Sequence, residues 1–186
     1  MAESTAEMIE AQKKNCIFCK IIAKEIPAME IYSDSKVLVI LDINPANEGH
    51  ALILPKNHYQ ILPQIPEDLI GHLFKVAKKT SHVLIKGLGV KGTTIFVANG
   101  AIAGQKAPHF MIHVIPRKHG DMLFKLAKNH VDDGKLKKMQ EMLSLRLSGK
   151  PVQKAIPAPA PSEEDEEPPK TEKKGVNLDK IAELFG

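Results

Sequence analysis

The stretch GQKAPHFMIHVIPRKHG, residues 104–120, decides the fold. Its alternation of polar and apolar residues predicts a β-strand over residues 109–115. Successive side chains of a strand point to opposite faces, so one face carries His109, Met111 and His113. The opposite face is apolar and suits a hydrophobic core. Two histidines with a thioether between them are an unusual set for the polar face of a strand, and they direct the search for a site.

The flanking segments predict an α+β fold, in which an antiparallel sheet packs on one long helix. Apolar runs over residues 37–43, 50–55 and 93–100 indicate three further strands. Between the first two runs, the stretch NPANEG carries turn residues that suit a hairpin.

A single long helix is predicted by PEDLIGHLFKVAKKTSHVLIKG, residues 66–87. Pro66 suits the first helical position, and Glu67 and Asp68 lie at the positive end of the helix dipole. Gly87 and Gly89 end the pattern. The residues expected to face the core are Leu69, Leu73, Val76 and Val83 or Leu84.

Composition divides the chain into five segments. We predict a flexible N-terminal segment over 1–14, a compact domain over 15–121 and a helical extension over 122–149. A linker over 150–175, rich in proline and acidic residues, cannot bury enough apolar surface to offset chain entropy and is predicted to be disordered. The final segment, 176–186, has the apolar stripe of a short amphipathic helix, which indicates a protein partner.

Charge and hydropathy limit the range of partners. The chain has 186 residues and a formal net charge of +4, with both signs mixed along it, so no specific nucleic acid is expected as a partner. It contains no apolar run long enough to cross a membrane. The polar start, MAESTAEMIEAQKKN, does not resemble a secretory signal peptide. A cytoplasmic protein is therefore expected.

The chain has two cysteines, Cys16 and Cys19, in a CxxC arrangement. A disulfide between them is possible, but a reducing compartment favours metal or redox use. CxxC alone is a weak signal for a metal site, and it becomes strong only when two further ligands converge on it.

The stretch CIFCKIIAKEIPAMEIYSDSKVLVILDINPANEGHALILPKNH, followed by GQKAPHFMIHVIPR, resembles the histidine triad (HIT) family of nucleotide-binding proteins. The resemblance covers about residues 16–118. The family signature alternates three histidines with apolar residues, and here His109 and His113 match the first and third histidines while Met111 replaces the second. The resemblance implies a HIT-like fold, a homodimer, and binding of a purine nucleotide or nucleoside phosphate.

Met111 occupies the position of the family's nucleophile. The resemblance implies that the middle histidine attacks the α-phosphorus and forms a covalent nucleotidyl-enzyme. A thioether has no exchangeable proton, and its attack on phosphorus would give an unstable sulfonium, so the usual hydrolysis is expected to be lost. His113 matches a phosphate hydrogen-bond donor. An active nucleotidyl hydrolase or phosphoramidase with a modified mechanism, such as direct attack by water, is the alternative.

The resemblance also implies a structural zinc ion, Zn²⁺, held by Cys16, Cys19, His58 and His109. Four nitrogen and sulfur ligands with no open position form a closed tetrahedral site. The alternative is that the cysteines are free thiols and the histidines are ordinary pocket residues. A third possibility is a copper-binding protein that uses His109, Met111 and His113, since two imidazoles and a thioether suit Cu(I).

For the nucleotide, the resemblance implies binding by Asp42, Ile43, Asn99, Gly104, Gln105 and His113, and His50 and Lys106 are further candidates. In that assignment Asp42 takes the ribose hydroxyls, Ile43 lies against the base and Asn99 faces the phosphate. His50 could also complete a copper site from the neighbouring strand. Lys106 stands where homologues usually carry a small hydroxyl residue, so it departs from the family pattern.

Overall fold

The computed structural model describes residues 10–123 and 129–149. It confirms the α+β class: five strands form one antiparallel sheet in the order β1-β2-β3-β5-β4. The elements in chain order are α1 (Ile17–Ile22), β1 (Glu30–Ser33), β2 (Val37–Leu41), β3 (Ala51–Pro55), α2 (Glu67–Leu88), β4 (Gly92–Phe96), β5 (Ile112–Arg117) and α3 (Asp133–Leu147). Residues 10–15 are also helical.

The chain divides into two compact units, Met1–Leu126 and Ala127–Gly186. In the second unit, α3 lies within the predicted helical extension, and its N-cap Asp132 accepts a hydrogen bond from the Lys135 N–H at 3.1 Å. The predicted linker and C-terminal helix lie outside the described residues. Among the described helices, none has both the length and the apolarity needed to cross a membrane.

The main core lies between the sheet and α2. This helix buries a stripe at helical spacing, which includes Leu73 and Ala77, each 0% exposed. The stripe packs on alternate residues of the central strands, such as Val39, Ile53 and Ile112. Side-chain alternation therefore sends the neighbouring strand residues to the other face of the sheet, where the functional residues lie.

The second face carries a smaller apolar cluster against α1. Leu38, Ile40, Leu52, Leu54 and Ile21 form it, and Phe18 and Met111 are among the residues packed against it. The short helix α1 is six residues long and would not be stable alone. Its packing on this face brings the CxxC segment to the sheet.

Several element boundaries differ from those predicted. β5 begins at Ile112 instead of His109, because the Phe110 N–H donates to the Tyr59 carbonyl at 2.6 Å, outside the sheet ladder. The predicted alternation is nevertheless preserved, since Phe110 and Ile112 lie in the α2 core and Met111 packs on the other face. The strand predicted over residues 93–100 ends at Phe96.

The long helix lies where predicted, with Pro66 as its N-cap and not its first helical residue. The structure also decides between the two candidates at its end: Leu84 is 7% exposed and Val83 is 64% exposed, so Leu84 belongs to the core stripe. Gly89 terminates the helix with a φ of +64°, in the left-handed region that glycine adopts without strain.

Candidate metal and nucleotide site

Four predicted zinc ligands meet at one end of the sheet. Cys16 directly precedes α1 and Cys19 lies within it, whereas His58 follows β3 and His109 precedes β5. Their ligand atoms all lie within 4.8 Å of one another. The Cys16 Sγ and the Cys19 Sγ lie 3.5 and 3.6 Å from the His109 Nδ1, and the Cys19 Sγ lies 3.3 Å from the His58 Nδ1.

These spacings fit a tetrahedral zinc ion. With Zn–S near 2.3 Å and Zn–N near 2.0–2.1 Å, the sulfur and nitrogen ligands of a tetrahedron lie about 3.5 Å apart. The three distances of 3.3, 3.5 and 3.6 Å agree with that value. The donor set, two thiols and two imidazoles, is also one that structural zinc sites use.

The orientation of His109 suits a metal ligand. Its Nε2 donates to the Pro55 carbonyl at 3.0 Å, which places the ring proton on Nε2 and leaves the Nδ1 lone pair toward the cysteines. Burial lowers the pKa of His109 to about 4, so its imidazole is neutral, as a ligand must be. Burial also lowers the pKa of His58.

The two cysteines are free thiols within this group. Burial and the adjacent Cys16 raise the pKa of the Cys19 thiol to about 12. Two neighbouring thiolates, of which Cys16 is buried, would need a cation to hold them deprotonated, and Zn²⁺ would supply that charge. The residues therefore fit the ion in spacing, tautomer and chemistry.

The predicted copper set of His109, Met111 and His113 is not formed as proposed. Both ring nitrogens of His109 are engaged, Nε2 by Pro55 and Nδ1 by the cysteines. His113 instead joins Asp42 and His50 in a separate group. The late start of β5 explains the difference, since His109 lies outside the regular strand and its ring turns to the cysteines.

A cavity of about 510 Å³ lies beside this metal group on the same face of the sheet. Its volume falls in the range of small-molecule sites. Predicted nucleotide residues that line it include Asp42, His50 and His113, together with Gly104, Gln105 and Lys106. The remaining lining residues are mainly apolar: Phe18, Leu52, Phe96, Ala98, Met111, Ile115 and Leu123, with Asn44, Ala46 and Ala107.

His50 and His113 form a hydrogen-bonded pair in this cavity. The His50 Nε2 lies 3.0 Å from the His113 Nδ1. The Ala46 N–H donates to the His50 Nδ1 at 3.2 Å, so that nitrogen is the acceptor and the ring proton resides on Nε2. His50 then donates to the His113 Nδ1, and the proton of His113 lies on Nε2. His113 is therefore a hydrogen-bond donor toward a ligand.

Electrostatics keep this pair neutral. Burial and the neighbouring His50 lower the pKa of His113 to about 4. Burial also lowers the pKa of His50, although Asp42 opposes that effect from 3.3 Å. Phe96 stacks on His113 with ring centroids 4.4 Å apart and an interplanar angle of 12°. The site thus offers a fixed, neutral donor and not a charged imidazolium.

The loop before β5 is fastened by Gln105. The side chain of Gln105 accepts from the Gly100 N–H at 2.8 Å and donates to the Gln60 and Ala107 carbonyls at 2.7 and 2.9 Å. Its amide is thus committed to the loop and is not available to a phosphate. Gly104 has a φ of +85°, a conformation that requires glycine for an unstrained turn.

Two predicted nucleotide residues are not brought to the cavity. Ile43 is 84% exposed and does not line it. The Asn99 Oδ1 accepts from the Leu62 N–H at 2.9 Å, so its amide fastens a neighbouring turn. Conversely, Phe18, Phe96 and Leu123 line the cavity without having been predicted. Phe18 has a sequence signal, since it lies between the two cysteines, whereas Leu123 follows the matched stretch.

The family model of the HIT domain matches residues 23–120, more than half of the chain. The chain belongs to the HIT family. An uncharacterized HIT-like protein of Methanocaldococcus jannaschii is 50% identical over 106 residues, which cover 57% of this chain and 81% of that protein. This HIT chain is also similar to two named enzymes.

The first of these enzymes is the adenylylsulfatase HINT3 of Arabidopsis thaliana, 40% identical over 60% of this chain and 57% of that protein. The second is the adenosine 5'-monophosphoramidase HNT1 of Saccharomyces cerevisiae, 34% identical over 72% of this chain and 84% of that protein. The names of both enzymes refer to adenylyl compounds.

Solved structures show the same fold. A HIT family member from Bacillus subtilis superposes with a TM-score of 0.66 at 32% identity, over 71% of this chain and 96% of that one. A histidine triad family protein from Mycobacterium smegmatis, described as Zn-bound, superposes with a TM-score of 0.57 at 29% identity, over 74% and 99% of the two chains. The HIT-like fold predicted from the sequence is thus confirmed.

Proposed function

We propose that this HIT protein binds a nucleoside phosphate, holds a structural zinc ion and does not carry out histidine-nucleophile hydrolysis. The observation that carries the proposal is the lining of the cavity beside the metal group. Met111 lines it at the position where the family has its nucleophile, and the retained His113 lines it as well. Binding groups are therefore kept and the attacking group is absent.

The chemistry of the cavity supports a phosphate ligand. His113 presents an N–H, and Lys106 lines the same cavity with a positive charge. Asp42 lines it too, and its carboxylate can accept from ribose hydroxyls. The apolar remainder, which includes Phe18 and Leu52, suits a base. Because the two similar enzymes are named for adenylyl compounds, adenosine 5'-monophosphate (AMP) is the first ligand to test.

Calorimetric titration of the zinc-loaded full chain with AMP tests the binding proposal. We expect one AMP per chain, with His113→Ala weakening binding about tenfold, as expected for loss of a hydrogen bond to a charged group. Steady-state hydrolysis of adenosine 5'-phosphoramidate tests the second part. Turnover by the wild-type protein at the rate of an active phosphoramidase would instead establish the hydrolase alternative.

Metal content tests the zinc proposal. Protein purified without chelator is expected to hold one zinc per chain, and Cys19→Ser to hold less than about a tenth of that, because a three-ligand site binds far more weakly. His119→Ala is the control and should keep its zinc, since His119 is exposed and lies outside the ligand set. Wild-type protein without zinc would contradict the proposal.

Three further expectations belong with this function. A reducing compartment such as the cytoplasm suits a site that needs Cys16 and Cys19 as thiols. Pairing of two chains into a homodimer is expected from the resemblance, and sedimentation velocity would measure it. The predicted C-terminal helix, residues 176–186, is proposed to bind a protein partner.

A further inference from the structure

One carboxylate fastens the segment that follows β5. The side chain of Asp121 is 7% exposed and accepts hydrogen bonds from the Arg117 Nε at 2.7 Å and the Asn47 Nδ2 at 2.9 Å. It also accepts from the backbone N–H groups of Lys118 and Leu123 at 3.0 and 3.3 Å. Asp121 therefore joins three parts of the fold: the end of β5, the loop before β3 and the chain leading to Leu123.

The same segment contains a strained turn. Met122 has a φ of +56°, in the left-handed region that residues other than glycine rarely adopt. Its side chain is 65% exposed, so its own packing does not hold this conformation. Two hydrogen bonds of the following residue do: Leu123 donates its N–H to Asp121, and its carbonyl accepts from the Arg117 Nη2 at 3.0 Å. Strain of this kind persists only where the surroundings fix it.

The residue that follows this turn, Leu123, has its side chain at the cavity. It lines the cavity with Ile115, which lies two residues beyond His113 on the same face of β5. On the other side of His113, Met111 and Phe18 line the cavity toward the metal group. Because alternate strand residues lie roughly 7 Å apart, His113 has an apolar wall on each side.

We propose that Leu123 is a specificity-determining residue, which packs against an organic group carried by the phosphate of a bound nucleotide, and that Asp121 is the positioning residue that holds it there. The proposal rests on the proposed function, since it takes the phosphate to lie at His113. If the nucleoside packs against the wall that contains Phe18, the wall that contains Leu123 is left for a second group on the same phosphate. A plain monophosphate does not use that second wall.

Two ligands that differ only in that group test the proposal. Calorimetry on the zinc-loaded full chain would compare AMP with adenosine 5'-phosphoromorpholidate, which carries a cyclic amine on its phosphate. Leu123→Ala is expected to weaken morpholidate binding about fivefold, from the lost apolar contact, and AMP binding less than twofold. Asp121→Asn is expected to weaken morpholidate binding selectively in the same way. Leu123→Ile, which keeps an apolar side chain of the same size, is expected to retain the wild-type ratio of the two dissociation constants.

The matched control is Asp34→Asn. Asp34 also accepts several bonds, from Tyr32, His72 and the backbone of Lys36, but it does not line the cavity. It should leave the ratio of the two dissociation constants unchanged. Leu123→Ala keeps both hydrogen bonds of Leu123, because its backbone N–H and carbonyl make them, so this variant tests the wall even if Asp121→Asn unfolds.

The outcomes separate the two proposals. Equal weakening of both ligands by Leu123→Ala, or no change in their ratio, would overturn the role of Leu123 while AMP binding by the wild type still stands. A selective loss in Leu123→Ala without one in a folded Asp121→Asn would overturn the positioning role. Failure of the wild type to bind either ligand would overturn the proposed function itself.

Discussion

At the scale of single residues, the proposed function separates nucleotide binding from hydrolysis at Met111. It lines the same cavity as His113 and packs against the apolar cluster that includes Leu52. A methionine can fill much of the volume of an imidazole, so the cavity keeps its shape. The thioether nevertheless cannot form the hydrolysable N–P bond that nucleotidyl transfer requires.

Restoring the imidazole is therefore expected to restore chemistry. We predict that Met111→His raises the hydrolysis of adenosine 5'-phosphoramidate by about a hundredfold or more, because a positioned nucleophile accounts for several kcal/mol of barrier. Steady-state release of AMP measures it. Met29→His is the matched control, since Met29 is 72% exposed and lies outside the cavity. Wild-type turnover as fast as that of Met111→His would show that the nucleophile is not missing.

The neutral His113 makes stability depend on pH. Its pKa is about 4 in the fold, below the usual 6.5, because of burial and His50. The unfolded chain therefore binds more protons between pH 6.5 and pH 4, and the free energy of unfolding falls as pH falls through that window. We predict that the wild type loses about 1–2 kcal/mol more than His113→Gln between pH 7 and pH 5.

Urea unfolding at both pH values measures this difference. His119→Gln provides the comparison, since it replaces an exposed histidine of the same unit. A wild type and a His113→Gln variant that lose stability in parallel would show that His113 titrates normally in the fold. Because both variants keep the metal group, any shared loss from zinc release cancels in the comparison.

At the scale of elements, α2 contributes five of the thirteen buried residues described in the main core. Leu73 is fully buried and Phe74, its neighbour, is 47% exposed. We predict that Leu73→Ala lowers the free energy of unfolding by about 3 kcal/mol, from lost burial plus the cavity left behind. Phe74→Ala removes a larger side chain from the exposed side of the helix and should cost less than about 1 kcal/mol.

Urea unfolding of the two variants at one pH gives both values. If Phe74→Ala proved as costly as Leu73→Ala, the exposed side of α2 would be covered in solution. That result would agree with pairing of two chains through this helix, and sedimentation velocity on Phe74→Ala would then show a weakened dimer.

The elements predicted well from sequence are those with a strong period. The 3.6-residue stripe of α2 gave its extent to within a few residues, and the apolar runs of β2 and β3 gave theirs. β1 was not predicted, because all four of its residues are exposed and show no alternation. α1 was not predicted either, since its stability comes from packing on the sheet and not from its own short sequence.

At the scale of the whole molecule, the spacing of residues in the sequence cannot by itself predict which distant ligands of the metal group meet. Cys16 and His109 are 93 residues apart and lie within 3.5 Å, an arrangement implied by the family resemblance. Ile43 and Asn99 were implied in the same way, but local bonds and exposure keep them from the cavity. The proposed placement of Leu123 rests on the hydrogen bonds of Asp121, which no sequence pattern indicates.

The first unit has its own core, so we predict that it does not need the C-terminal tail. Removal of residues 151–186 should change the melting temperature by less than about 2 °C and leave AMP affinity unchanged, because no core residue of the described sheet is lost. Differential scanning calorimetry and titration measure the two quantities. A fall of many degrees would mean that the tail packs on the domain, and the predicted partner-binding role of residues 176–186 would be wrong.

The metal group, once it holds zinc as proposed, would also set an order of events when the chain folds. Its ligands come from both ends of the domain, with sequence separations of 39 residues between Cys19 and His58 and 93 between Cys16 and His109. Contacts of such separation form late, because long loops must close first. In an unfolded chain only the CxxC pair is close together, so tight binding of the proposed zinc would wait until β5 has joined the sheet. Zinc retention would then report that a newly made chain has finished folding.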